Sequence, residues 1–146
     1  MTNPWRKSLY SAYLDSFDDF FITTIDGNAQ TDNQFWAIFV NFQASPVGGC
    51  EQIVEANDDI LFAFDGLNKA HVLKLTGPTT VDVGSPVLLT VTDGQSGDPV
   101  AGADVNGQAS DANGHVSFTY MRTGNQEFKA EKSDSVRSNR LIVDVI

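Results

Sequence analysis

From Gly77 to the C-terminus a tight-turn sequence recurs roughly every eight to twelve residues with no helical periodicity between, a rhythm that a small antiparallel sandwich satisfies and a helical fold does not. Asp93-Gly94, Ser96-Gly97-Asp98-Pro99 and Asp111-Ala112-Asn113-Gly114 supply the punctuation, with Gly or Asn taking the left-handed residue that such turns need. Between them apolar side chains alternate. Val87, Leu89 and Val91 share one strand face, Val116, Phe118 and Tyr120 a second, and Leu141, Val143 and Val145 a third. These residues are the expected core of the C-terminal half.

Upstream the pattern differs. Asn3-Pro4 reads as a helix opening, Asn as the cap and Pro at the first helical position, and Trp5, Leu9, Ala12 and Tyr13 recur at helical spacing. One N-terminal helix is therefore predicted from Trp5 to about Ser16. Phe20 to Ile25, aromatic and β-branched, predicts a strand that ends at the turn Asp26-Gly27-Asn28. Phe35 to Phe42 is almost continuously apolar, which predicts a central strand buried on both faces with Trp36 in the core. Ser45-Pro46-Val47-Gly48-Gly49 breaks the chain, Glu51 to Glu55 alternates weakly, and Asn57-Asp58-Asp59 makes a turn. Ile60 to Phe64 and Ala70 to Leu75 read as antiparallel neighbours joined through Asp65-Gly66-Leu67-Asn68. The boundary falls at Thr76-Gly77-Pro78, giving a first domain of residues 1–76 and a second of 77–146 in a mainly β chain.

Charge narrows the partners. Residues 1–76 hold four Lys/Arg against ten Asp/Glu and the remainder five against nine, so both parts are acidic within a net −10. Acidic surfaces oppose the counterion release that drives binding to phosphate backbones, so no nucleic acid is expected as a partner. No apolar run approaches the roughly 20 residues of a membrane helix, so no membrane span is expected. Met1 to Tyr10 carries Pro4, Trp5 and two basic residues without an apolar stretch, so any export signal is expected to have been removed or to lie upstream. Cys50 is the single cysteine, which excludes an internal disulfide and leaves open a buried or idle thiol. The two histidines, His71 and His115, stand in no context that suggests a nucleophile and base, and no enzyme activity is expected.

Two sets of motifs carry a resemblance. Phe35-Trp36-Ala37-Ile38-Phe39-Val40-Asn41, Pro46-Val47-Gly48-Gly49 and Asn57-Asp58-Asp59-Ile60-Leu61-Phe62-Ala63-Phe64 resemble the transcobalamin-like C-terminal domain family. That resemblance implies a small β-grasp-like α+β domain, one helix against a sheet. Asp98-Pro99-Val100-Ala101-Gly102-Ala103-Asp104-Val105, Ser110-Asp111-Ala112-Asn113-Gly114 and Val136-Arg137-Ser138-Asn139 look like the immunoglobulin-like β-sandwich modules of bacterial and fungal surface proteins. Together they are most similar to a family of secreted fungal proteins of unassigned function. The resemblance implies a secreted or cell-surface location, and it implies that Cys50 forms a disulfide with a cysteine upstream of this sequence.

Function follows less directly, because such motifs describe turns and cores rather than chemistry. The leading expectation is a non-catalytic structural or interaction module, with a protein or polysaccharide surface as partner and no cofactor. The alternative is a carbohydrate-binding module for a cell wall or for adhesion, in which Trp5, Tyr10 and Tyr13 stack under sugar rings, although Trp5 and Tyr13 also belong to the predicted helix stripe. A remote alternative, implied by the resemblance alone, is binding of a cobalamin-type small molecule. Asp93, Asp98, Asp104 and Asp111 offer oxygens for calcium, but turn formation accounts for them without a metal. Lys74 and Asn139 are candidates for an isopeptide cross-link, with Glu127 and Glu131 the nearby glutamates, and Arg137 is a candidate to support a bend through Asp134 or backbone carbonyls. Asp18-Asp19 and Asp58-Asp59 read as solvated turn or edge charges.

Overall fold

The computed structural model describes residues 8–16 and 18–146, which divide between Asn68 and Lys69 into two compact units. The first unit opens with β1 (Leu9–Leu14), paired antiparallel with β2 (Asp19–Ile25). Here the predicted helix gives way to a strand. Leu9, Ala12 and Tyr13 do recur at helical spacing, but Leu and Tyr also suit a pleated surface, and the ladder to β2 outweighs the local preference. Asn3, Pro4 and Trp5 lie outside the described residues.

The turn predicted at Asp26-Gly27 is present in its tightest form. Both residues have positive φ, 51° and 79°, and Ile25 pairs with Asn28 to start β3 (Asn28–Ala29). Such a two-residue turn matches the twist of the strands it joins.

A second three-stranded sheet places β4 (Trp36–Val40) between β5 (Gln43–Ala44) and β6 (Ile60–Phe64), all antiparallel. The strand predicted to run on to Phe42 stops at Val40, because Asn41 and Phe42 both take positive φ, 51° and 68°. Asn41 fixes that turn by donating its amide to Asp58 Oδ1 (2.7 Å) and accepting the Asp59 N–H (3.0 Å). Nor is β4 buried on both faces. Ala37 and Phe39 are buried with Ala63 across from Ala37, whereas Trp36, Ile38 and Val40 are half-buried on the other face. The 3₁₀ turn η1 (Gly66–Asn68) is the only helical element among the described residues, so the β-grasp expectation of a helix against a sheet is corrected to two small sheets.

The second unit begins with β7 (His71–Thr76), followed by β8 (Thr80–Val81) and β9 (Pro86–Asp93). The sequence places β7 beside β6. Instead it pairs antiparallel with β9, which follows it in the chain beyond β8. Continuing along the chain come β10 (Asp104–Val105), β11 (Gln108–Ala109), β12 (His115–Thr119), β13 (Gly124–Phe128), β14 (Ala130–Glu131), β15 (Ser135–Val136) and β16 (Leu141–Val145). Three sheets result, in the orders β12-β9-β7-β15, β13-β16-β8 and β11-β10-β14.

Their inward residues form one cluster. Leu73 and Leu75 from β7, Val87, Leu89 and Val91 from β9, Val116 from β12, Phe128 from β13 and Val143 from β16 are all buried together, with Phe118, Tyr120 and Leu141 packed against them. The alternation read from the sequence thus marks the core of this unit. Ser110 staples it, its Oγ accepting from Ala103 N (2.9 Å) and donating to Val100 O (2.7 Å), so a buried hydroxyl leaves no backbone group unmet there.

Candidate functional site

The first unit contains a cavity of about 290 Å³. It is walled by β2 at Asp19, Phe20 and Ile22, by β4 at Trp36 and Ile38, and by the segment Ser45 to Glu51. That segment is the Pro-Gly-Gly break noted in the sequence, and it folds as a strap held from within. Ser45 Oγ accepts from Val47 N (3.2 Å) and lies 2.6 Å from Gln52 Oε1, while Gln52 N donates to Gly48 O (3.1 Å).

Asp19 anchors the strap to β2. Read from the sequence as a solvated edge charge, its side chain is instead buried, with only 3% of the residue exposed. Oδ1 accepts the N–H of Phe20 (2.6 Å) and of Cys50 (3.3 Å). Oδ2 is buried and has no hydrogen-bond partner among the described residues. This arrangement depends on Gly48: a Cβ there would stand 2.1 Å from Oδ2 and 2.5 Å from Cγ. The absent side chain is what gives the carboxylate room.

Around this oxygen the wall is apolar and aromatic. Trp36 meets Phe64 edge to face at 5.3 Å and donates its indole N–H to Asn28 O (2.9 Å), which fixes the ring's orientation. Glu51 adds a second carboxylate to the lining. The unit boundary sharpens the electrostatics. Residues 1–68 hold ten Asp/Glu and two Lys/Arg, the latter being Arg6 and Lys7, so from Ser8 to Asn68 there is no Lys, Arg or His. The second unit is nearly balanced, with nine acids and seven bases.

Of the residues singled out from sequence, Trp5 lies outside the described residues. Tyr10 and Tyr13 stand on β1, 62% and 45% exposed, and neither lines the cavity. Tyr13 tilts against Phe20 at 5.1 Å and donates its hydroxyl to Asp18 Oδ1. That bond to a carboxylate, with slight burial and the Asp19 charge behind it, raises the phenol above its usual pKa. Cys50 has an exposed thiol that is free among the described residues. Trp36, expected in the core, is a wall of the cavity instead.

Three of the four aspartates weighed as calcium ligands hold turns with their carboxylates. Asp93 Oδ1 accepts Gln95 N (2.9 Å), Asp104 Oδ1 accepts Gly107 N (3.2 Å), and Asp111 Oδ1 accepts both Asn113 N (2.9 Å) and His115 N (2.8 Å). Asn139 reaches the backbone of Leu75, next to Lys74, donating to its carbonyl (3.0 Å) and accepting its N–H (2.9 Å). Its amide thus acts as a short strand. Arg137 pairs with Glu131 (3.3 Å), and Asp134 with Lys132 (3.0 Å). Asp19 and Gly48 are the residues sequence reasoning passed over. The available signal was an acid at the head of an aromatic strand together with a Gly-Gly pair, but nothing in the sequence joins the two.

Residues 7–66 match the model of a family described as a domain of unknown function, DUF4430, a stretch that falls within the first unit. No curated protein and no solved structure matches the chain. No helix among the described residues is long and apolar enough to cross a membrane.

Proposed function

We propose that the chain is a non-catalytic interaction module of an extracellular or cell-surface protein. In this reading the first unit, which carries the transcobalamin-like motifs, presents the binding surface, and an immunoglobulin-like second unit serves as its platform. The supporting observation is how unevenly apolar side chains are spent. Among the described residues, only Ala37, Phe39 and Ala63 of the seventeen buried hydrophobic ones belong to the first unit, whereas twelve of the seventeen exposed large ones do. A unit that leaves Phe20 exposed in the cavity wall, and Phe35, Ile53 and Phe62 exposed elsewhere, has the apolar surface that marks interaction sites, since burial of such surface drives association.

The second reading is a carbohydrate-binding module, favoured by the exposure of Tyr10 and Tyr13 on β1. One pair of measurements addresses both. Thermal unfolding of the first unit is followed by tryptophan fluorescence, since both tryptophans precede Asn68, against a panel of small cationic, anionic and neutral aromatic compounds, and the chain is also applied to a glycan array. A ligand at a hundred times its Kd stabilises its site by about 2.7 kcal/mol and moves the transition measurably. A shift with selected compounds supports the module, selective glycan retention supports the second reading, and no response in either refutes both.

A further inference from the structure

We propose that the cavity in the first unit binds an organic ammonium ion, a primary amine carried on an apolar or aromatic body. The inference rests on the binding reading above and adds the chemistry of the ligand.

Three independent observations converge. Asp19 lines the cavity, is almost wholly buried, and has one oxygen committed to two backbone N–H groups and the other to nothing among the described residues. A buried carboxylate oxygen without a donor is costly, so the position calls for an N–H or O–H from outside the described residues. Next, charge selects among donors. Asp19 and Glu51 both face the cavity, and no cationic residue occurs between Ser8 and Asn68, so a positive ligand meets negative potential from the described residues of the unit while a carboxylate or phosphate is repelled. Finally, the remaining wall suits the body of such a ligand. Phe20 and Trp36 offer aromatic rings to a cation or an apolar stem, and Ile22, Ile38 and Val47 offer aliphatic surface. A volume of about 290 Å³ lies at the small end of ligand sites, sized for a compact amine rather than a polymer.

The geometry assigns roles. Asp19 Oδ2 accepts from the ammonium once it turns from its seat against Gly48, where a Cβ would stand 2.1 Å away, and Glu51 contributes field rather than a required hydrogen bond. Selectivity follows from the need for an N–H: a quaternary ammonium of the same size brings the charge without the donor.

The test is a calorimetric titration of the full chain at neutral pH with phenethylammonium, its alcohol isostere 2-phenylethanol, phenyltrimethylammonium and phenylacetate. Saturable binding of phenethylammonium is expected, on the order of tenfold tighter than the alcohol and the quaternary ion, with no binding of the anion. Asp19→Asn is expected to erase the preference for amine over alcohol, and Glu51→Gln to weaken amine binding several-fold while keeping that preference. Glu51→Gln also keeps the proposal testable if Asp19→Asn does not fold. Equal affinity for the alcohol and the amine overturns the ammonium inference and leaves the binding reading standing. Tight binding of phenylacetate overturns it too. Silence from all four probes overturns the inference, and the glycan array and compound panel then decide the binding reading separately.

Discussion

Replacing Gly48 by alanine should destabilise the first unit through a single contact, the one with Asp19. The backbone at Gly48 is not left-handed, so alanine brings no conformational strain, and by limiting the unfolded chain it contributes roughly 0.4 to 1 kcal/mol in its favour. Against this, the new methyl carbon would stand 2.1 Å from Asp19 Oδ2, so the carboxylate must retreat by more than about 1 Å to reach ordinary contact. Retreat gives up the bonds from Phe20 N (2.6 Å) and Cys50 N (3.3 Å). Hydrogen bonds to a charged group are worth about 1.5 to 3 kcal/mol each, the longer one at the low end, and the released carboxylate regains some hydration. The net expected loss is about 1 to 3 kcal/mol. Urea denaturation followed by tryptophan fluorescence reads it, because both tryptophans precede Asn68 in the sequence. The control is a double-mutant cycle with Asp19→Ala, in which Gly48→Ala should keep only its gain of roughly 0.4 to 1 kcal/mol, giving a coupling energy of about 1.4 to 4 kcal/mol. Equal costs in the two backgrounds would refute the reasoning.

Other consequences are equally direct. Asn139→Ala strands the Leu75 N–H and carbonyl, both partly buried, and should cost the second unit about 2 to 4 kcal/mol by calorimetry; a loss under about 0.5 kcal/mol would mean the clasp adds nothing. Phe128→Ala removes a fully buried ring that Phe118 and Tyr120 contact, with an expected loss of about 3 to 5 kcal/mol in the same assay. Burial pushes the Asp93 carboxyl up, but the Gln95 N–H, the His71 ring at 2.9 Å and its charge, and the Val72 backbone together hold it below the usual carboxylate range. A carboxyl with a lowered folded-state pKa contributes stability that is present above its unfolded value, near 3.9, and is lost as pH falls through the folded value. The second unit should therefore weaken in acid below about pH 4, and Asp93→Asn should flatten that part of the pH profile; an unchanged profile would exclude Asp93 as the source.

How much was legible in the sequence differs between the two units for a physical reason. In the second, each strand buries one face, so alternation at Val87-Leu89-Val91 and Leu141-Val143-Val145 reports the core directly, and Asp-Gly and Asn-Gly turns report where strands end. In the first, little is buried, so the pattern is weak evidence. Leu9, Ala12 and Tyr13 fit a helix as well as a strand, and only the ladder to β2 decides between them. Phe35 to Phe42 looks like a strand buried on both faces because apolar residues also line a cavity and an exposed sheet face.

The sequence by itself determined a mainly β chain, its acidity, its turn positions and the core of the second unit, since all of these follow from neighbours within a few residues. Tertiary structure alone decided that Asp19, beside another acid in an exposed-looking turn, is buried under Gly48 and Cys50 from thirty residues away. Carboxylate burial is set by what closes over it, and no local pattern encodes which distant strap will do so.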